Sequence, residues 1–140
     1  MLIMPESVYN QLRAHCETAY PHECCGILLG TLDRTVADAV PAQNSSDHPR
    51  NHYEIPPLDL IRAEREARRA GLEILGFYHS HPDHPAHWSA TDLAEAHWIG
   101  CSYVITAVEK GVAATTRSFL LAGTTEEDKR FDEEELRITP

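Results

Sequence analysis

Val8, Leu12 and Cys16 recur at helical spacing behind Pro5, a residue suited to a first helical turn. The pattern predicts a helix over about residues 5–18, stopped at Tyr20-Pro21. The rhythm then changes. Cys24 to Leu29 is an unbroken apolar run closed by Gly30, as in a buried strand, and residues 34–40 are expected to pair with it through the polar turn at Leu32-Asp33-Arg34. Residues 41–51, rich in Asn, Ser, Asp and Pro, read as loop. Pro56-Pro57 opens a second helix, with Leu58, Ile61, Arg65 and Leu72 along one stripe and Gly71 as its C-terminal stop. Residues 73–78 read as a buried strand that delivers His79 to its end, and the His-Pro-rich residues 80–88 as a loop. Ser89 is a candidate N-cap for a third helix, carried by Leu93, Ala96 and His97 to Gly100. Tyr103 to Val108 and Ala113 to Leu121 close the pattern as two strands around Lys110-Gly111. The order α-β-β-α-β-α-β-β implies an α/β (α+β) mixed domain, a central mixed sheet flanked by helices.

At 140 residues the chain is the size of one domain and buries enough surface to need no disulfide or metal for its core. No apolar run approaches the ~18–20 residues of a membrane span, so no membrane partner is expected. Residues 1–6 show neither a basic region nor a long apolar one, and a cytoplasmic location is the default expectation. The formal charge of −10 argues against nucleic acid, whose backbone requires clustered Lys and Arg. Acidic residues crowd over 126–135 and arginines gather at Arg62, Arg65, Arg68 and Arg69. These read as a solvated tail and a solvated helix face, with an interaction surface as the other reading. Cys16, Cys24, Cys25 and Cys101 form no C-x-x-C pair and are expected to be reduced thiols, Cys24 and Cys25 packing as small hydrophobes.

One stretch carries chemistry. Within fourteen residues the chain places His79, His81, Ser89 and Asp92 in the order His-x-His-x₇-Ser-x₂-Asp. In an extended segment residues i and i+2 point to one side, so His79 and His81 can converge on one ion. A carboxylate in the first turn of the next helix, Asp92, can complete the face. Two imidazoles and a carboxylate are three of the four ligands of a tetrahedral Zn²⁺, and a catalytic site leaves the fourth position to water. His22-Glu23-Cys24-Cys25-Gly26 begins like H-E-x-x-H but ends in glycine where the second ligand belongs. The H-x-E and P-C-x-x-C pattern of nucleobase deaminases and the G-x-S-x-G elbow are both absent.

His79-Ser80-His81-Pro82 with Ser89 and Asp92, together with Pro21-His22-Glu23-Cys24-Cys25-Gly26, resembles the JAMM (MPN+) metalloproteases, especially their short prokaryotic members. The likeness covers about residues 5–121, including Tyr53-Glu54-Ile55-Pro56 and Gly71 to Gly76. It implies an MPN/JAB-like (cytidine-deaminase-like) architecture over residues 1–125, with 126–140 as an acidic C-terminal segment of the same domain. It also implies Zn²⁺ held by His79, His81 and Asp92, Glu23 as general acid/base, and Ser89 as hydrogen-bond donor to the developing oxyanion. The implied activity is hydrolysis of a peptide or isopeptide bond after the C-terminal Gly-Gly of a ubiquitin-like partner, here a β-grasp sulfur-carrier protein. A homodimer is left open. Trp88 stands where relatives often carry proline, offering an apolar wall in place of a stiffened loop, and His84 and His87 are extra to the motif. The rival expectations are a catalytically silent MPN-type interaction scaffold and a histidine-rich metal buffer; the first has no physical need for all five motif residues.

Overall fold

In a computed structural model that describes residues 1–140, the chain begins with β1 (Leu2–Pro5), α1 (Glu6–Ala19), β2 (Cys25–Gly30) and β3 (Val36–Ala42). It continues through α2 (Pro57–Ala70), β4 (Glu73–Pro82), α3 (Ala90–Glu95), β5 (Ser102–Glu109) and β6 (Val112–Ala122), and ends with β7 (Arg130–Glu134) and β8 (Leu136–Thr139). Six strands form one sheet in the order β3-β2-β4-β5-β6-β7, while β1 and β8 pair by themselves. Within the large sheet only β4 and β5 run parallel. The architecture is therefore mixed α+β, as expected, and no helix is long and apolar enough to cross a membrane.

The apolar run of β2 is continuous because the strand is covered on both faces. Leu28 joins Leu12 and Cys16 of α1, with Tyr78 and Val104, in one cluster. Ile27 and Leu29 point the other way, toward Ala63 and Ala67 of α2, with Phe77 and Leu121. Period-two alternation thus divides each central strand between two cores. α2 ends as its sequence predicts, on Gly71 at φ 71°, a left-handed backbone that glycine adopts without strain. Its four arginines are exposed on the solvent side.

Four expectations need correction. β1 is a strand that the periodicity does not announce: its partner β8 lies at the other end of the chain, and four residues are too few to show a period. β4 does not end before His79 but runs on through Ser80, His81 and Pro82. The proline is tolerated because the β2 ladder ends at His79 and the last bond to that side comes from the Ser80 amide to the Cys24 carbonyl, so that Pro82 is paired with β5 alone. α3 stops at Glu95 and does not reach Gly100. Ala96 turns to an extended backbone and is buried, and the Trp98 amide donates to the Tyr103 hydroxyl at 3.2 Å. Lastly, the acidic segment is no solvated tail. It supplies β7 and β8, and the side chain of Glu134 is only 8% exposed. Its carboxylate accepts from the Ser102 and Ser118 hydroxyls at 2.5 and 2.8 Å and faces Arg34 at 3.3 Å.

Candidate metal centre

The continuation of β4 beyond His79 sets the geometry. His79 and His81, two apart on one strand, face the same side, and both rings are buried. Ser80, between them, points to the other face, where its hydroxyl accepts from the Cys24 amide at 2.9 Å and its own amide donates to the Cys24 carbonyl at 3.2 Å. These bonds clamp the approach to β2 against β4. Since Cys25 stands opposite His79, the antiparallel register continued by two residues sets Glu23 beside His81.

The third ligand candidate comes from α3. Ser89 is its N-cap, and a capping box forms: the Asp92 amide donates to the Ser89 hydroxyl at 3.0 Å, and the Ser89 amide donates to Asp92 Oδ2 at 2.9 Å. The box fixes the carboxylate over the two rings. His79 Nε2 and His81 Nε2 lie 3.1 Å apart, at 3.4 and 3.1 Å from Asp92 Oδ2. Donors about 2.0–2.1 Å from a tetrahedral zinc stand roughly 3.3 Å from one another, so this triangle has the right size. The tautomer fits as well. His81 Nδ1 lies 2.9 Å from the Pro85 carbonyl, which accepts its proton and leaves the Nε2 lone pair facing the triangle. His79, His81 and Asp92 could therefore hold a metal ion.

Charge is arranged around this point. Burial pushes the Glu23 carboxyl up to about 8, against the opposing pull of His81. Glu23 Oε1 and His79 Nδ1 are buried with no hydrogen-bond partner in the protein. Burial lowers His79; for His81 burial also acts downward, but Asp92 and the Pro85 carbonyl prevail and raise it. Burial likewise opposes ionisation of Asp92, yet hydrogen bonds from His79, His81 and the Ser89 amide hold its carboxyl well below the usual range.

Two clefts flank the triangle. One, of about 350 Å³, is lined by Glu23, His81 and Ser89, with His84, His87 and Trp88 on its far wall. The other, of about 310 Å³, is mixed: Ile55, Leu60, Phe77, Trp98 and Tyr103 line it together with Glu54, Glu95 and His97, beside Tyr53, whose ring stacks on His79 at 4.3 Å. The structure brings all five motif residues into this neighbourhood but leaves His84 and His87 outside the metal-sized group. His87 instead stacks on Trp88 and meets the Phe119 ring edge-on. Trp88 packs against Phe131 of β7. The sequence reading missed the Tyr53 stack and Asn44, whose amide donates to the carbonyls of Glu23 and His52 at 3.1 and 2.9 Å. Nothing in a loop rich in Asn and Ser singles out that one residue.

The model of the family described as prokaryotic homologs of the JAB domain matches residues 5–122. The chain belongs to this family. It is a hydrolase of that family. A desampylase of Haloferax volcanii is 38% identical to this JAB-domain chain over 101 residues, 71% of this chain and 73% of the relative. A probable TtuB-protein conjugate cleaving protease of Thermus thermophilus is 36% identical over 98 residues, 70% of this chain and 65% of that protein. The solution structure of a Desulfitobacterium hafniense protein superposes with a TM-score of 0.86 at 31% identity, covering 99% of this chain and 93% of the other.

Proposed function

We propose that this JAB-family hydrolase is a zinc-dependent peptidase or isopeptidase that cuts after the C-terminal Gly-Gly of a ubiquitin-like protein of the β-grasp sulfur-carrier kind. The observation that carries this reading is the triangle of His79 Nε2, His81 Nε2 and Asp92 Oδ2 beside the buried, unpartnered carboxyl oxygen of Glu23. The relatives named for desampylation and for cleavage of TtuB conjugates support the substrate class.

His79, His81 and Asp92 would hold the metal. When bound, zinc polarises a carbonyl and lowers the pKa of its water to about 7. Glu23 supplies the proton traffic: its buried carboxylate takes a proton at an oxygen as attack begins and returns it to the leaving amine. Burial alone favours the protonated acid; a cation held by His79, His81 and Asp92 would favour the ionised form, which can accept the proton in the first of these steps. The Ser89 hydroxyl accepts the Asp92 amide with a lone pair, so its own proton stays free to donate to the carbonyl oxygen as charge develops there. The cleft beside Tyr53 takes the tail upstream of the scissile bond, where glycine brings no side chain to be excluded from the approach to His79 and His81.

The test uses a sulfur-carrier protein extended past its Gly-Gly and the same protein ending in Gly-Ala. Each is offered to chelated and to zinc-restored enzyme, with zinc content measured by elemental analysis. Cleavage of the Gly-Gly substrate alone, and only after zinc returns, is the expected result. Bound zinc without cleavage of any extended carrier would refute the substrate. Failure to take up zinc would remove the metal reading itself.

A further inference from the structure

α3 is six residues long, and none of its residues is fully buried. A helix this short is far below the ~12–15 residues at which isolated helices become even marginal in water. Its position over His79 and His81 must therefore be imposed from outside. The capping box secures its first turn. At the other end stands Lys129, from the acidic segment that follows β6. Its side chain is only 7% exposed, and its ammonium spends all three protons on fixed acceptors. These are the carbonyls of Ala94 at 3.1 Å and Ala96 at 2.7 Å, and Glu126 Oε1 at 2.9 Å. A cation on the last carbonyls of a helix satisfies groups that have no partner within it, and complements the helix dipole.

Lys129 is itself delivered by a built turn. The Asp128 carboxylate accepts from the amides and hydroxyls of both Thr124 and Thr125, at 2.7 to 3.1 Å. Two residues after Lys129, Phe131 packs against Trp88, the neighbour of the N-cap Ser89. One short piece of chain thus braces α3 at both ends. All of it lies beyond residue 122, where the match to the family model stops.

We propose that Lys129 is a positioning residue of the metal centre: by tying down the last turn of α3 it fixes where the Asp92 carboxylate meets His79 and His81. The inference rests on the reading of those three residues as metal ligands. It makes residues 124–131 part of the working site, although none of them touches it.

The test compares Lys129→Met, Lys129→Arg and Arg13→Met. Arg13 places the same kind of cation on the carbonyls of Ala113 and Ala114, but from α1, on the opposite face of the sheet. Zinc affinity is measured by competition with a chelator, and amide exchange of residues 90–96 is followed in the metal-free proteins. Lys129→Met should bind zinc about tenfold more weakly, the usual scale for losing an outer support of a ligand, and exchange those amides faster. Lys129→Arg, which keeps a cation in reach of the carbonyls, should recover most of both. Arg13→Met should change neither. If Lys129→Met does not fold, Glu126→Gln loosens the same ammonium and should weaken zinc about threefold, a smaller share of the same outer-support effect; no change there would overturn the proposal. So would wild-type zinc affinity in a folded Lys129→Met, or an equal loss in Arg13→Met. Should the wild type take up no zinc, the metal reading fails, while the exchange rates still judge the tie between Lys129 and α3.

Discussion

Replacing Glu23 by Gln should move stability and activity in opposite directions. The side chain is 6% exposed, and burial lifts its carboxyl from an ordinary 4.5 to about 8. Between those values the unfolded chain has released the proton and the native protein still holds it. The native state therefore binds more protons, and stability falls as pH rises. At roughly 1.36 kcal/mol per pH unit the gap corresponds to ~5 kcal/mol, fully present below 4.5 and lost as pH approaches 8. Attraction to His81 is already part of that balance. A glutamine side chain has nearly the same shape and no ionisation, so the metal-free variant should lack this slope. Urea unfolding of the metal-free proteins at pH 5 and pH 8 reads the difference directly: Glu23→Gln gains roughly 3–5 kcal/mol on the wild type between the two conditions. In the zinc-loaded enzyme the same change removes the proton carrier, and turnover should drop about 10²–10⁴-fold. Parallel stability curves would refute the claim that burial holds the carboxyl protonated. Unchanged turnover would refute its part in proton transfer.

On the proposed mechanism, Ser89→Ala removes two roles of different size. It should lower kcat about 10²–10³-fold through loss of the oxyanion donor, but unfolding stability by only about 1 kcal/mol through loss of the cap, so kinetics and urea titration separate them. For Glu134, burial favours the neutral acid, yet the Ser102 and Ser118 hydroxyls and Arg34 prevail and hold its carboxyl below the ordinary range. A depressed carboxyl stabilises above the unfolded value and ceases to as pH falls through the folded one. Glu134→Gln should therefore cost roughly 1–3 kcal/mol at pH 7 and progressively less below about pH 4.5. Urea midpoints from pH 3 to 7 check this, and a penalty independent of pH would contradict it.

The metal triangle was legible because it is local: His79, His81 and Asp92 lie within fourteen residues, and period two on a strand aligns the histidines whatever the rest of the chain does. Glu23 was legible only through resemblance, since no spacing rule links it to His81; a register across β2 and β4 makes that link. The end of β4 was hidden by His81 and Pro82, which look like loop chemistry unless one knows that β2 has already left the strand's side. The end of α3 was hidden because Leu93 and Ala96 keep helical spacing while the last turn is settled by Lys129, distant in sequence, and by the nearby Tyr103 hydroxyl, which no hydrophobic period announces. Lys129 itself stands in a run of acids with no period to read. Most of what escaped was decided by long-range contacts, whose two partners no short window along the chain contains.

β4 and β5 are the one parallel join in the large sheet, and parallel neighbours need a crossover of a dozen residues or more. That crossover is the stretch holding Ser89, Asp92 and all of α3. Two of the three metal-facing side chains are thus printed on a strand, while the third hangs on the bridge to the next. The donors can come together only after β5 has docked, and the brace at Lys129 only after β6 has passed. A chain still being synthesised holds His79 and His81 long before it holds a finished site. On the proposed reading of these three residues as zinc ligands, metal capture follows the assembly of the central strands, and a half-made chain has no working site.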